Sequence, residues 1–242
     1  LFHAGLSRKY RPGRSPGIRT RLEIGISCLV LLLLFACARV EVSPPAPPLD
    51  EEAMASVISE CRMQQRLVDT IASSGSIRLK VPGKDRTFSL FMAAKRDPLT
   101  VKIEVTHSWG GAVLHILVSG ESVRMVSFAE ERYYHGSLAG GGFGRFLPGE
   151  WTSLDLWSLV RGYPALREYR RAVSVKGNEI RFLGEQGQTL QALGLKPDSG
   201  LPRTLMLPQS GLRMTFGDYR VDGEGRIRYA TEMEISREDE DS

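Results

Sequence analysis

Apolar and polar residues alternate along much of the chain after residue 76. Ile77, Leu79 and Val81 alternate with Arg78 and Lys80, and the same period of two recurs in 87–92 and 101–106. This spacing predicts antiparallel strands with one buried face and one wet face. Further strands are predicted at 112–119, 122–128, 171–175, 179–183, 189–195, 203–207, 212–219 and 227–235. The pattern predicts a meander of about ten to eleven strands.

Two segments have helical rather than strand periodicity. A first helix is predicted from about Asp50, a suitable N-cap, to about Ser73, with an apolar stripe formed by Met54, Val57, Ile58, Cys61, Val68 and Ile71. A short second helix is predicted near 152–160, with Thr152 or Ser153 as its cap. The glycine-rich segment 134–150 between strands and second helix is predicted to be a mobile loop. The fold class is therefore predicted to be α+β and mainly β.

The N-terminal segment has the layout of a bacterial lipoprotein signal peptide. Basic residues from Arg8 to Arg21 precede an apolar run, Ile24 to Ala36, which is shorter than the roughly 20 residues of a membrane span. The four residues ending at Cys37 resemble a lipobox, which implies diacylglycerol on the Cys37 sulfur and an acyl chain on its nitrogen. The alternative is that Cys37 only ends an ordinary secretory signal. Ala38 is not the Asp that favours inner-membrane retention in enteric bacteria, so the outer membrane is the predicted location.

Removal of the leader would change the charge of the protein. The leader, 1–36, holds six of the 32 basic residues and one of the 28 acidic residues, which leaves 26 and 27 and a formal charge of −1. Binding to nucleic acid therefore has no support in the charge. Of the three cysteines, Cys28 would leave with the leader and Cys37 would be lipidated. Cys61 remains, is predicted to be a small buried hydrophobe, and has no partner for an intramolecular disulfide.

The rest of the chain is predicted to be a tether, one domain and a tail. Residues 37–49 contain the lipidated cysteine and a proline-rich run that favours extended geometry. Residues 50–236 form the domain, predicted to be a monomer, and 237–242 form an acidic, solvated tail.

Candidate catalytic chemistry is sparse. His107, His115 and His135 have no metal-ligand spacing, and no nucleophile-elbow motif occurs. The run Gly140 to Gly144 lacks the Gly-Lys-Ser/Thr ending of a phosphate-binding loop. We therefore expect a protein that is not an enzyme and needs no metal or cofactor.

Several segments together resemble the LolA/LolB family of lipoprotein-sorting proteins. They are the first helix with 74–79, the strand pair around 99–112, the helix segment 153–164, and 201–205 leading into 212–219. The resemblance implies an incomplete, unclosed antiparallel β-barrel whose concave apolar face is covered by helices. It also implies a LolB-like, outer-membrane receptor that binds the acyl chains of lipidated client proteins and helps to insert them into the membrane. A LolA-like periplasmic chaperone is the implied partner.

The resemblance also implies two sets of site residues. Trp109 and Gly110 occupy the position of a membrane-insertion loop, although Trp109 could equally be a turn residue folded back over the sheet. The predicted lining of a hydrophobic cavity consists of Leu79, Phe88, Leu90, Met92, Ile103, Leu114, Ile116, Met214 and Phe216. The same residues would serve as an ordinary packed core, which would suit an envelope scaffold or assembly lipoprotein. A lipid-binding enzyme would need converging polar groups that the sequence does not indicate.

Overall fold

Fourteen strands, two α-helices and one 3-10 turn make up the part of the chain that the computed structural model describes, residues 47–81, 84–138, 151–175 and 178–237. These residues all belong to one compact unit, Pro45–Ser242. The described residues do not include the leader, Cys37, the glycine run 140–144 or most of the acidic tail. Leu49, predicted to belong to the tether, packs against the core and its N–H donates to Ser174 Oγ at 2.7 Å.

Most strands belong to two six-stranded antiparallel sheets. Sheet A contains, in hydrogen-bonded order, β1 (Thr70–Val81), β2 (Lys84–Lys95), β3 (Thr100–Thr106), β4 (Ala112–Ser119), β5 (Ser122–Ser127) and β6 (Arg132–Ser137). Sheet B is formed by β7 (Arg171–Val175), β8 (Glu179–Leu183), β9 (Thr189–Leu195), β10 (Pro202–Leu207), β11 (Leu212–Phe216) and β14 (Met233–Arg237), and β14 pairs with β11. A small third sheet pairs β12 (Tyr219–Val221) with β13 (Arg228–Ala230).

Both helices begin at side-chain caps that the sequence supplies. Helix α1 (Glu51–Arg66) starts at Asp50, whose Oδ1 accepts from the Ala53 N–H at 2.7 Å. Helix α2 (Ser153–Arg161) starts with a capping box between Thr152 and Asp155. It ends at Gly162, which has a left-handed φ of 66°.

The two sheets and both helices share one hydrophobic core. Sheet A contributes alternate residues of β3, β4 and β5, and sheet B contributes alternate residues of β8 and β11. Cys61 of α1 and Trp157 of α2 are buried in the same cluster. In the described part of the chain β1, β6, β7 and β14 remain sheet edges, so neither sheet closes on itself. The predicted fold class, mainly β with antiparallel unclosed sheets and covering helices, is confirmed.

The first helix is shorter than predicted. It ends at Arg66, and the chain is extended from Thr70, because β1 pairs with β2 along its whole length. Ile71, placed on the helical stripe by its spacing, instead lies opposite Ala94 in this ladder. The Ser and Gly residues at 73–76 have weak helix preference, and pairing with β2 overrides the helical spacing.

Other boundaries also differ from the prediction. Residues 134–137, predicted to belong to a loop, lie in β6. The predicted strands 212–219 and 227–235 are each broken, because Gly217 N–H donates to the carbonyl of Glu232 and Thr231 N–H donates to that of Asp218. These crossing bonds separate the β12–β13 hairpin from sheet B.

Candidate functional site

The β3–β4 loop presents one large aromatic side chain to solvent. The loop spans 107–111 and is closed by two backbone hydrogen bonds, from His107 N–H to the Gly111 carbonyl at 2.8 Å and from Gly110 N–H to the His107 carbonyl at 2.9 Å. Gly110 has φ +91°, a conformation that L side chains rarely adopt. Trp109 is 77% exposed. It does not fold back to cover the sheet.

The exposed indole is connected to the core through a ladder of rings. Trp109 stacks on His107 with ring centroids 4.1 Å apart and an interplanar angle of 6°. His107 in turn lies 5.4 Å from the ring of Phe88, which is buried. Gly111 allows this arrangement, because a Cβ on it would lie 3.1 Å from Trp109 Nε1. Phe88, predicted to line the cavity, and Trp109, predicted to lie in the insertion loop, are therefore linked through their contacts with His107.

Most of the predicted cavity residues come together in the core. Those that are buried are Phe88, Ile103, Ile116, Met214 and Phe216. Leu90, Met92 and Leu114 are half-buried and pack against the same cluster. The side chain of Leu79 lies outside the described part. Because β11 contributes Met214 and Phe216, the set joins both sheets rather than one.

Two grooves lie beside α1, away from the predicted cavity residues. The first, of about 290 Å³, is lined by Glu60, Met63, Gln64, Leu67, Gly225, Arg226 and Arg228. The second, of about 550 Å³, is lined by Ala55, Ile58, Ser59, Arg62, Met63, Arg66, Leu67 and Tyr169. Neither groove is lined by any of the predicted cavity residues.

A buried polar cluster beneath the first groove was missed by the sequence analysis. Gln64 and Arg161 are both almost fully buried. Arg161 donates from Nη2 to Gln64 Oε1 at 3.2 Å and from Nη1 to the carbonyl of Arg228 at 2.6 Å. Gln64 Oε1 also accepts from the N–H of Arg228, and Gln64 Nε2 donates to the carbonyl of Arg226. One signal was available, because Gln64 continues the apolar stripe three residues after Cys61.

Burial controls the protonation of this region. It lowers the pKa of the Arg161 guanidinium, because the charged form loses hydration. It raises the pKa of Cys61 to about 12, and it raises the pKa values of Tyr163 and Tyr219 above their ordinary range. A neutral thiol of this kind is a poor nucleophile, so Cys61 behaves as a buried hydrophobe, as predicted.

The histidines do not converge. His115 makes an edge contact with Phe128, with centroids 4.9 Å apart, and His135 Nε2 lies 3.4 Å from Ser122 Oγ. Within the described ranges, no three His, Cys, Asp or Glu side chains are placed to hold a metal ion. No helix in those ranges is both long and apolar enough to cross a bilayer. The exposed Trp109 and the two grooves beside α1 can therefore offer a ligand apolar contacts and hydrogen bonds.

Seven chains of solved structures match this chain, and two of them are described below. No protein-family model matches the chain, and no curated protein matches it. The structure of a LolA superfamily protein from Nitrosomonas europaea is similar over 76% of this chain and 84% of that chain, with a TM-score of 0.45 and 13% identity. A structure of the CwlD amidase from Clostridioides difficile in complex with the GerS lipoprotein matches over 78% of this chain and 94% of that chain, with a TM-score of 0.21 and 9% identity.

Proposed function

We propose that this chain is a lipid-anchored, non-enzymatic receptor that binds the acyl chains of lipidated client proteins and helps to insert them into the outer membrane. Cys37, carrying diacylglycerol and an N-acyl chain, would be the anchor. A LolA-like chaperone would deliver the client. Transfer would need no chemical step in the receptor, since burial of apolar surface contributes roughly 25 cal/mol per Å².

The observation that carries this proposal is the exposure of Trp109 at the end of a ring ladder. A tryptophan that is 77% exposed is unusual on a soluble surface but suits a membrane interface, where the indole is partly hydrated. Its contact with His107, and that of His107 with Phe88, connects the exposed indole to the core in which the acyl chains would be held.

The acyl chains would occupy the region between the sheets and the helices. The residues proposed to line it are the nine given above, of which Phe88, Ile103, Ile116, Met214 and Phe216 are buried. Binding would therefore require α1 or α2 to move away from the sheets. Such a movement would expose the apolar residues to the acyl chains. Before the movement, the helix would shield the same residues from water.

A second function is favoured by the packed state of that region. An envelope scaffold or assembly lipoprotein would keep these side chains as a permanent core, and the two grooves beside α1 avoid all of them. In that case Trp109 would contact a protein partner or the membrane surface without any transfer of acyl chains.

Native mass spectrometry separates the two functions. The chain from Ala38 onward, which contains the whole described fold, is mixed with a triacylated lipoprotein or with the same protein lacking its acyl chains. Selective binding of the acylated form is expected. Failure to bind either form would overturn the receptor proposal and favour the scaffold.

Delivery is tested separately with Trp109→Glu. The variant is expected to bind the triacylated protein as the parent does, but to transfer it poorly to phospholipid vesicles. Trp109→Phe, which keeps an apolar ring, is the matched control and is expected to retain transfer. Equal transfer by all three proteins would remove Trp109 from the mechanism.

A further inference from the structure

The outer side of α1 carries an apolar ridge. It consists of Met63 and of Leu67, the C-cap residue that follows α1, which are 46% and 39% exposed. On a helix that packs on a sheet, this outward position is normally polar. Cys61 and Gln64 of the same helix are buried, so the ridge is additional to the face that packs on the core.

A groove lies on each side of the ridge, and both grooves are lined by Met63 and Leu67. One continues to Gln64 and Gly225. The other continues to Ala55, Ile58 and Tyr169. A partner that straddles the ridge would place side chains on both sides of it, whereas a fluid bilayer surface has no fixed projections to match two separated grooves.

Four arginines surround the ridge. Arg62 and Arg66 line one groove, and Arg226 and Arg228 line the other. The second pair is already neutralised, because Arg228 Nη1 lies 3.1 Å from Glu60 Oε1 and Arg226 is paired with Glu224.

Arg62 and Arg66, unlike Arg226 and Arg228, are not neutralised by a described carboxylate. The guanidinium of Arg62 lies over the ring of Tyr169, 5.2 Å from its centroid. Among the side chains that the structure describes, no carboxylate lies within ion-pair distance of Arg62 or Arg66. This surface is therefore locally basic in a chain whose predicted mature form has a charge of −1.

We infer that the Met63–Leu67 ridge and its two grooves form a docking site for an amphipathic segment of a protein partner. Apolar side chains of that segment fill the grooves, and carboxylates beside them pair with Arg62 and Arg66. Electrostatic complementarity of this kind sets the partner's orientation and increases its rate of association. Neither groove is lined by any of the residues proposed to hold the acyl chains, so the inference does not rest on acyl-chain binding.

The test uses a synthetic, fluorescein-labelled helical peptide with Leu at every third or fourth position and Glu on both flanks. Fluorescence anisotropy measures its binding to the chain from Ala38 onward. Saturable binding is expected, and it should weaken about tenfold or more in Arg62→Glu/Arg66→Glu. Met63→Ser/Leu67→Ser should weaken it similarly through loss of apolar contact. Far-ultraviolet circular dichroism confirms that each variant remains folded.

Two controls make the result specific. Arg124→Glu/Arg203→Glu changes the net charge equally at exposed positions on sheets A and B, and it should bind the peptide as the parent does. A peptide with Lys in place of Glu should not bind. Equal weakening by both arginine pairs would overturn the proposed site.

The remaining outcome concerns lipid. If vesicles of phosphatidylglycerol and phosphatidylethanolamine bind the chain through Arg62 and Arg66 while the acidic peptide does not bind, the ridge is a membrane contact and the protein-docking inference is wrong. This result would leave the acyl-chain experiment with the triacylated lipoprotein unaffected, so the two proposals can fail independently.

Discussion

The indole of Trp109 lies parallel to the imidazole of His107, with ring centroids 4.1 Å apart. Stacking of this kind contributes about 0.5–1.5 kcal/mol beyond the area that it buries. One indole face is therefore held against the loop while most of the side chain remains exposed. An exposed aromatic ring with a fixed orientation loses less entropy on contact with a membrane or a partner than a free one.

The loop geometry predicts a distinctive fluorescence response. Trp151 and Trp157 are buried, so within the described ranges Trp109 is the tryptophan that acrylamide can reach. We expect one readily quenched component in the parent chain and its loss in Trp109→Phe. His107→Ala should increase quenching, because the second indole face becomes accessible. Unchanged quenching in His107→Ala would mean that the stack does not hold the indole in solution.

Alternation along the chain was enough to predict the antiparallel, mainly β fold, because a buried face and a wet face impose a period of two on β3 and β5. It could not fix the end of α1, since Ile71 satisfies both a helical and a strand spacing. Strand pairing with β2, a long-range interaction, decides that case. The division of 227–235 into two strands likewise depends on hydrogen bonds to 217–218, which local sequence does not encode.

Gly162 is predicted to be among the least replaceable glycines. Its φ is +66°, and a Cβ would lie 3.0 Å from the carbonyl oxygen of Ala230, whose N–H donates to the Gly162 carbonyl. Gly162→Ala is expected to lower the free energy of unfolding by about 2–3 kcal/mol, from left-handed strain and displacement of β13. Urea unfolding followed by circular dichroism measures the change.

Gly225→Ala is the matched control. Gly225 also has a left-handed φ, +72°, but a Cβ on it would meet nothing within 4 Å. Its replacement should cost only the backbone term, about 1 kcal/mol. If the two substitutions cost the same, the close approach of Gly162 to β13 contributes nothing to stability.

The pair Gln64 and Arg161 is predicted to be strongly coupled. Gln64→Ala would leave a buried guanidinium without its side-chain acceptor, since Arg161 Nη2 donates to Gln64 Oε1. A loss of about 3 kcal/mol is expected. Arg161→Met should lower the free energy of unfolding less in the Gln64→Ala background than in the parent chain, because in that background it removes an unpaired charge. A double-mutant cycle from urea unfolding measures the coupling, and strict additivity would contradict it.

The site was less predictable than the fold. Spacing identified Phe88, Ile103 and Met214 as inward-facing residues, and their burial follows from strand parity. The Gln64–Arg161 contact joins α1 and α2 across 97 residues, and no local pattern encodes a pairing at that separation. The exposed ridge of Met63 and Leu67 also depends on which side of α1 packs inward, which the sheets determine.

Alkaline pH is predicted to weaken the fold through Cys61. Its thiol ionises near 9.0 in an unfolded chain, and burial raises the pKa to about 12 in the folded protein. The stability that this difference provides is complete below pH 9 and is lost as the pH rises from about 9 to about 12, because only the unfolded thiol can release its proton there. Each pH unit in that range should lower the free energy of unfolding by about 1.4 kcal/mol.

Urea unfolding of the chain from Ala38 onward, at intervals from pH 8 to pH 10.5, measures this slope. Cys61→Ala is the control, and the comparison concerns the slope rather than the absolute stability, since the substitution also leaves a small cavity. We expect a clearly shallower decline in Cys61→Ala. A residual decline remains because burial also raises the pKa values of Tyr163 and Tyr219, so unfolding lets these phenols ionise at alkaline pH. Identical slopes in the two proteins would show that water reaches Cys61 in the folded state, which would mean that α1 opens away from the sheets without any client bound.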